Sequence, residues 1–158
     1  MLLDRELLVD FADESMAILE EAEELIAPLE DGEGTPDDIV VAAQKIDGIM
    51  GCAKTMGLSG ASDLGLLFVN ISRLSEGFKF LGYRAGEVKS SQILQVIGGI
   101  LNEAIELLKT SFVDLKKGYI SIDQDAVGRS QERMMWIAKK LNLSEEDEKN
   151  LRKRFGMT

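Results

Sequence analysis

The sequence predicts an all-α fold: an antiparallel four-helix bundle with one or two additional C-terminal helices. The chain has 158 residues, 45% of them hydrophobic, which is enough to bury one core in a single domain. It contains 2 prolines and 6% aromatic residues, a composition that favours helices over sheets. Apolar residues also recur every three or four positions over long segments, which is the period of an amphipathic helix.

The first helix is predicted from Leu2 to Glu30, with acidic residues on the face opposite its apolar stripe. The sequence Asp-Gly-Glu-Gly at 31–34 ends it. Thr35 can then cap the free amides of a second helix, whose first position suits Pro36 and which runs to about Met56. Its predicted core stripe comprises Ile39, Ala42, Ala43, Ile46, Ile49, Met50 and Ala53.

A third helix is predicted to begin at Ser59 or Ser62 and to close at Gly82. The fourth runs from about Glu87 to Lys117, and its glycine pair at 98–99 marks a bend or a tight contact. Its predicted inward residues are Ile93, Val96, Ile97, Ile100, Leu101, Ala104, Leu107, Leu108 and Leu115. Residues 118–122 are too short and isolated to imply a sheet and are interpreted as a connector.

Asp123 or Asp125 can cap a fifth helix, and Ser144 precedes an acidic turn that indicates a last helix ending near Phe155. We therefore divide the chain into a helical bundle at 1–142 and a C-terminal helical extension at 143–158 that packs on or beside the bundle.

The formal net charge of −10 repels phosphate backbones and anionic lipid surfaces. We therefore expect protein partners, with no nucleic acid and no membrane among them. The single cysteine, Cys52, cannot form an internal disulfide, and the chain does not begin like a signal peptide. No apolar run approaches the roughly 20 residues of a membrane-spanning helix. These features predict a soluble, cytoplasmic protein.

The most informative segment is Lys-Ile-Asp-Gly-Ile-Met-Gly-Cys-Ala-Lys-Thr-Met-Gly-Leu at 45–58, at the end of the second helix. It resembles the histidine-phosphotransfer (HPt) signature H-x-x-K-G-x-x-x-x-x-G, especially the version in the N-terminal domain of chemotaxis histidine kinases. Aligned without a gap, it keeps Gly51 and Gly57. Asp47, however, stands at the phospho-accepting histidine and Met50 at the lysine, and the chain contains no histidine at all.

The resemblance extends over roughly residues 1–140. The segment Leu-Leu-Val-Asp-Phe at 7–11, with the acidic run after it, is similar to the family's first helix. A second alignment places Gln44 at the histidine and Asp47 at the lysine, but needs three extra residues before Gly57. Either alignment excludes phosphotransfer through histidine.

The resemblance implies a degenerate phosphotransfer site that has kept its docking shape, with the glycine gap open to a receiver domain and soft apolar side chains around it. We predict no catalytic residue, no metal and no cofactor. The candidate partner-binding residues are Gln44, Asp47, Gly48, Met50, Gly51, Lys54 and Gly57.

Simpler interpretations stand beside this one. Asp47 can be an ordinary solvated residue, the two glycines can serve close helix packing, and Met50 is more often a core residue than a binding residue. Cys52 is interpreted as a small buried hydrophobic residue, because no histidine exists to activate it.

Three functions follow as hypotheses. The first is a non-catalytic signalling or adaptor module of a two-component or chemotaxis-type pathway, which binds a response-regulator receiver domain or a histidine kinase. The second is a phosphatase acting on a phosphorylated receiver, with Gln44 and Asp47 positioning the attacking water. The third is a structural homodimer formed through the extra helix after Ser144.

Overall fold

The computed structural model describes residues 5–55, 62–120 and 123–157, without the side chains of residues 53–55, 62–64 and 66. Within these ranges the regular structure is entirely helical, which confirms the predicted all-α helical bundle. The helices are α1 (Arg5–Glu30), α2 (Pro36–Thr55), α3 (Ser62–Ala85), α4 (Ser91–Lys116), α5 (Gln124–Lys139) and α6 (Glu145–Arg154).

The helices pack in an up-and-down order. The α1 helix lies against α2 and α4, α2 lies against α3, and α5 packs on both α3 and α4 and so closes the bundle. Ion pairs between α1 and α4 show that these two helices are antiparallel, since Lys116 meets Asp13 at 2.7 Å and Lys109 meets Glu23 at 2.7 Å. The α6 helix packs on α3 and α5.

The helices share one hydrophobic core. The Phe11 ring of α1 lies 5.6 Å from the Phe68 ring of α3 and 5.5 Å from the Phe112 ring of α4, in tilted and edge-on geometries that aromatic pairs favour. Leu151 and Phe155 at the C-terminus are buried and belong to the same apolar cluster. The C-terminal extension is therefore packed on the bundle through apolar contacts.

The helix starts follow from local side-chain chemistry. Ser90, Asp123 and Ser144 each accept a hydrogen bond from a backbone N–H of the following first turn, which satisfies a donor that has no partner within the helix. The predicted caps at Asp123 and Ser144 are confirmed. The fourth helix starts at Ser91 instead of about Glu87, because Ser90 supplies its cap.

The start of α2 differs in detail from the prediction. The Thr35 hydroxyl does not accept from an amide but donates to the Asp38 carboxylate at 3.4 Å. The same carboxylate accepts from the Thr35 backbone N–H at 2.9 Å. Asp38 therefore satisfies the free donor at this end, which is the reciprocal half of a capping box.

The prediction that Gly82 closes the third helix is wrong. The α3 helix continues to Ala85, and Gly82 lies where α3 crosses α2. A Cβ atom at this position would lie 3.0 Å from the Ala43 Cβ and 3.2 Å from the Ile39 carbonyl oxygen. Gly82 thus permits close helix packing, which overrides its poor helix propensity.

Of two further predictions about α4, one is confirmed and one is wrong. The tight contact predicted for the glycine pair is confirmed at Gly98, where a Cβ atom would lie 2.8 Å from the Leu29 Cβ of α1. Val96 was predicted to face inward, but its side chain is 40% exposed. It lies at the edge of the stripe, where a helical period alone does not separate core from boundary.

Candidate partner-binding site

The solvent face of α2 carries the residues predicted for partner binding. Gln44, Asp47, Gly48 and Gly51 are all exposed, while Ile46 is buried. Residues three, four and seven apart share one face of a helix, so these four positions form one strip along α2. Because Gln44 and Asp47 are both exposed, either alignment puts the position that corresponds to the signature's histidine on this strip.

Asp47 forms an ion pair with α3. The Lys79 Nζ lies 3.3 Å from the Asp47 carboxylate, with 33% of the Lys79 side chain and 51% of the Asp47 side chain exposed. Pairs this exposed add little stability, typically about 0–1 kcal/mol. Sequence reasoning missed Lys79, since it lies on another helix and no spacing along the chain links it to Asp47. A cation therefore stands beside Asp47 although the aligned lysine position holds Met50.

Met50 points away from that strip. Its side chain is half-buried and packs against the apolar core, which agrees with the simpler interpretation of this residue. Cys52 is also half-buried and packed against the core. Met50 therefore helps to pack α2 against the core. Cys52 lies on the side of α2 that faces α1.

The glycines of the strip are not packing glycines. Among the described residues, a Cβ atom built on Gly48 or on Gly51 would meet no heavy atom within 4 Å, in contrast to Gly82 and Gly98. The described part of the chain thus contradicts the interpretation that Gly48 and Gly51 serve close helix packing. Both glycines are exposed, although each costs a helix about 1 kcal/mol relative to alanine.

A concave surface lies beside the two glycines, between α1 and α2. It has a volume of about 560 Å³ and is lined by Leu7, Asp10, Phe11, Glu14, Gly48, Gly51 and Cys52. We refer to these seven residues as the α1–α2 groove. Phe11 is buried and forms its floor, whereas Leu7 is 49% exposed at its rim. The spacing of Leu7, Asp10 and Glu14 along α1 could have indicated this face, but only the pairing with α2 shows that it borders the glycines.

Two predicted residues are not described in full. Lys54 lies in α2, but its side chain is outside the described part of the chain, and Gly57 is outside the described residues altogether. The structure therefore brings together Gln44, Asp47, Gly48 and Gly51 on the exposed strip, whereas Met50 packs against the core.

The described part of the chain holds no group of three or more carboxylate or thiol side chains that could bind a metal ion. None of its helices is long and apolar enough to cross a membrane. The described geometry of the site is thus an exposed helix strip, an ion pair and an adjoining apolar groove.

Comparison with known proteins adds no relative: no protein-family model, no curated protein and no solved structure matches the chain.

Proposed function

We propose that this chain is a non-catalytic signalling or adaptor module that binds a receiver domain or a histidine kinase through the exposed strip of α2. The observation that carries the proposal is that Gly48 and Gly51 are exposed and that, among the described residues, nothing occupies the space where their side chains would lie. The resemblance of residues 45–58 to the phosphotransfer signature supplies the class of partner. With no histidine in the chain, the partner is bound without phosphoryl transfer to histidine.

The cost of the glycines supports a binding role. Alanine at each position would fit the space and would stabilise the helix by about 0.5–1 kcal/mol. A side chain there would, however, lift any partner away from the α2 backbone. Glycine at both positions is explained if the partner makes its closest contact at this place.

The experiment measures the affinity of purified receiver and kinase domains from the same cell for the full chain, by titration calorimetry. Gly51→Arg fills the bare surface and is expected to weaken binding at least about tenfold, because it blocks close approach. Gly128→Arg is the matched control, since Gly128 is also a helical glycine with open space around its Cα but lies on α5.

Two results would contradict this proposal. One is that no receiver or kinase domain binds the wild-type chain. The other is that Gly51→Arg and Gly128→Arg bind a partner equally well. Circular dichroism of both variants should show unchanged helix content, so that a loss of affinity reports on the surface and not on folding.

A phosphatase is the second candidate, because Gln44 and Asp47 are both exposed and stand three residues apart on one strip. An amide and a carboxylate so placed can both contact a water that attacks a phosphoaspartate. The measurement is the decay of a phosphorylated receiver with the wild-type chain and with Gln44→Ala. Faster decay that requires Gln44 favours the phosphatase, and an unchanged decay rate favours binding alone.

The structural homodimer has less support. Leu151 and Phe155, the buried apolar residues at the C-terminal end, pack within the same chain. The contact that was expected to join two copies is thus used internally. Light scattering of the full chain tests this directly, and a concentration-independent monomer mass would exclude the homodimer.

A further inference from the structure

The acidic residues of α1 differ in their partners and in whether they line the α1–α2 groove. Asp13, Glu21 and Glu23 each form an ion pair with a lysine of α2 or α4, at 2.7 to 2.9 Å. Asp10 and Glu14, which line the α1–α2 groove, pair with no cation among the described residues. Both are exposed. The groove thus presents two carboxylates whose charge the described part of the chain does not neutralise.

The floor between these carboxylates and α2 is apolar. The apolar residues that line it are the buried Phe11, the half-buried Cys52 and the exposed Leu7, and Gly48 and Gly51 border it on α2. Exposed apolar surface in a concave position is typical of interaction sites, because burying it against a partner removes it from water.

Asp10 and Glu14 are four residues apart and therefore neighbours on one helix face, with about 5–6 Å between their Cβ atoms. A helix that presents cations at the same spacing can contact both carboxylates at once. The apolar face of the same helix, which adjoins these cations around the helix axis, then reaches the floor. This combination of charge and shape selects a helix over an extended strand, since the described groove borders offer helix faces and no free sheet edge.

We infer that the α1–α2 groove binds a basic amphipathic helix of the partner, with an apolar side chain on Phe11 and Cys52 and cations on Asp10 and Glu14. The inference rests on the proposed function and specifies the chemistry of the partner at that site. The glycines allow the incoming helix to lie against α2, and the unpaired carboxylates favour basic helices over acidic ones.

The probe is a synthetic helix-forming peptide of leucine and lysine, about five turns long, with leucine at positions i, i+3, i+4 and i+7. Its control is an isomer of the same composition whose order destroys the apolar face. Affinities for the full chain are measured by fluorescence anisotropy at about 0.15 M salt, where charges more than about 8 Å apart are largely screened. The amphipathic peptide is expected to bind about tenfold more tightly than the isomer.

Charge reversal locates the binding site. Asp10→Lys/Glu14→Lys is expected to weaken peptide binding about tenfold, because attraction becomes repulsion. Glu20→Lys/Glu24→Lys is the matched control: it changes the net charge equally, has the same spacing on α1, and lies about 15 Å further along the helix. This control is expected to change the affinity by less than about threefold.

Cys52 provides a second readout, since it is the single cysteine of the chain and lines the groove. Saturation with the amphipathic peptide is expected to slow the reaction of Cys52 with a disulfide-forming reagent about fivefold or more. Equal losses in the two charge-reversed variants, equal binding of the two peptides, or an unchanged thiol reaction rate would each overturn the inference.

The proposed function fails separately. One outcome is that a receiver or kinase domain binds the wild type and Asp10→Lys/Glu14→Lys with equal affinity but fails to bind Gly51→Arg. That result overturns the groove inference and leaves the proposed function standing. The absence of any receiver or kinase binding overturns the proposed function, whatever the peptide does.

Discussion

Glycine serves opposite purposes at different positions of this chain. At Gly82 and Gly98 the missing Cβ makes room for a neighbouring helix, whereas at Gly48 and Gly51 it leaves the helix surface open. The residue type and the helical context are the same in all four cases. A packing glycine differs from a surface glycine only in how close a Cβ atom built on it would come to atoms of other helices.

The adjacent glycines of α4 provide a test of this distinction. A Cβ at Gly98 would lie 2.8 Å from the Leu29 Cβ and 3.3 Å from the Glu30 backbone nitrogen, whereas a Cβ at Gly99 would lie 3.5 Å from the Glu30 carboxylate. Gly98→Ala should therefore lower the free energy of unfolding by about 1–3 kcal/mol through overpacking. Gly99→Ala should raise it by up to about 1 kcal/mol through helix propensity.

Urea unfolding followed by circular dichroism measures both effects on one helix and in the same sequence context. Equal stability of the two variants would show that the contact between α1 and α4 is looser than the distances indicate.

At the scale of the elements, the α1–α4 pair combines apolar packing with ion pairs along its edge. Lys109 of α4 donates a hydrogen bond to Glu23 of α1 at 2.7 Å. That hydrogen bond raises the pKa of Lys109 above its ordinary value of 10.5, against the opposing effect of burial, and the charges of Glu23, Glu106 and Glu20 act in the same direction. The charged form of Lys109 is thus stabilised by folding.

The raised pKa of Lys109 determines how this contribution to the free energy of unfolding changes with pH. The folded chain holds the Lys109 proton more tightly than the unfolded chain, so the stabilisation is complete below the ordinary lysine pKa of 10.5 and is lost as the pH rises through the folded pKa. Glu23→Gln should therefore be less stable than the wild type at neutral pH, and the difference should shrink at alkaline pH.

The measurement is the free energy of unfolding of the wild type and Glu23→Gln between neutral pH and the alkaline limit of folding. Glu24→Gln is the control, because Glu24 is exposed and forms no ion pair with a described residue. A wild-type advantage over Glu23→Gln that grows with rising pH would contradict the assignment.

At the scale of the whole molecule, the C-terminal helices complete the bundle. The α5 helix packs on α3 and α4, and α6 adds ion pairs to α3 from Asp147 to Arg84 and from Arg154 to Glu76. Phe155 follows α6 and is 1% exposed. Its ring would lie 3.0 Å from a Cβ on Gly77, so the close approach of this region to α3 depends on that glycine.

Phe155→Ala is expected to lower the free energy of unfolding by about 3–5 kcal/mol, as for other large core residues. Trp136, the single tryptophan, lies on α5 and reports on the C-terminal part, while far-ultraviolet circular dichroism reports on all helices. Because one core joins both parts, the two signals should change at the same urea concentration in the wild type and in the variant.

Transitions that separate in the wild type would show that the C-terminal helices α5 and α6 unfold independently of α1–α4. Leu151→Ala offers a second test at the same interface, with an expected loss of about 2–5 kcal/mol.

The positions of the helices can be predicted from apolar periodicity and from caps such as Asp123 and Ser144, because both act within one or two turns. The absence of histidine from the printed sequence likewise excludes histidine chemistry in this chain. Features that depend on contacts between helices could be seen only in the folded structure. They are the extension of α3 past Gly82, the ion pair from Lys79 to Asp47 and the α1–α2 groove. The physical reason is that period and capping are local, whereas the atoms that cover or expose a glycine belong to helices distant in the chain.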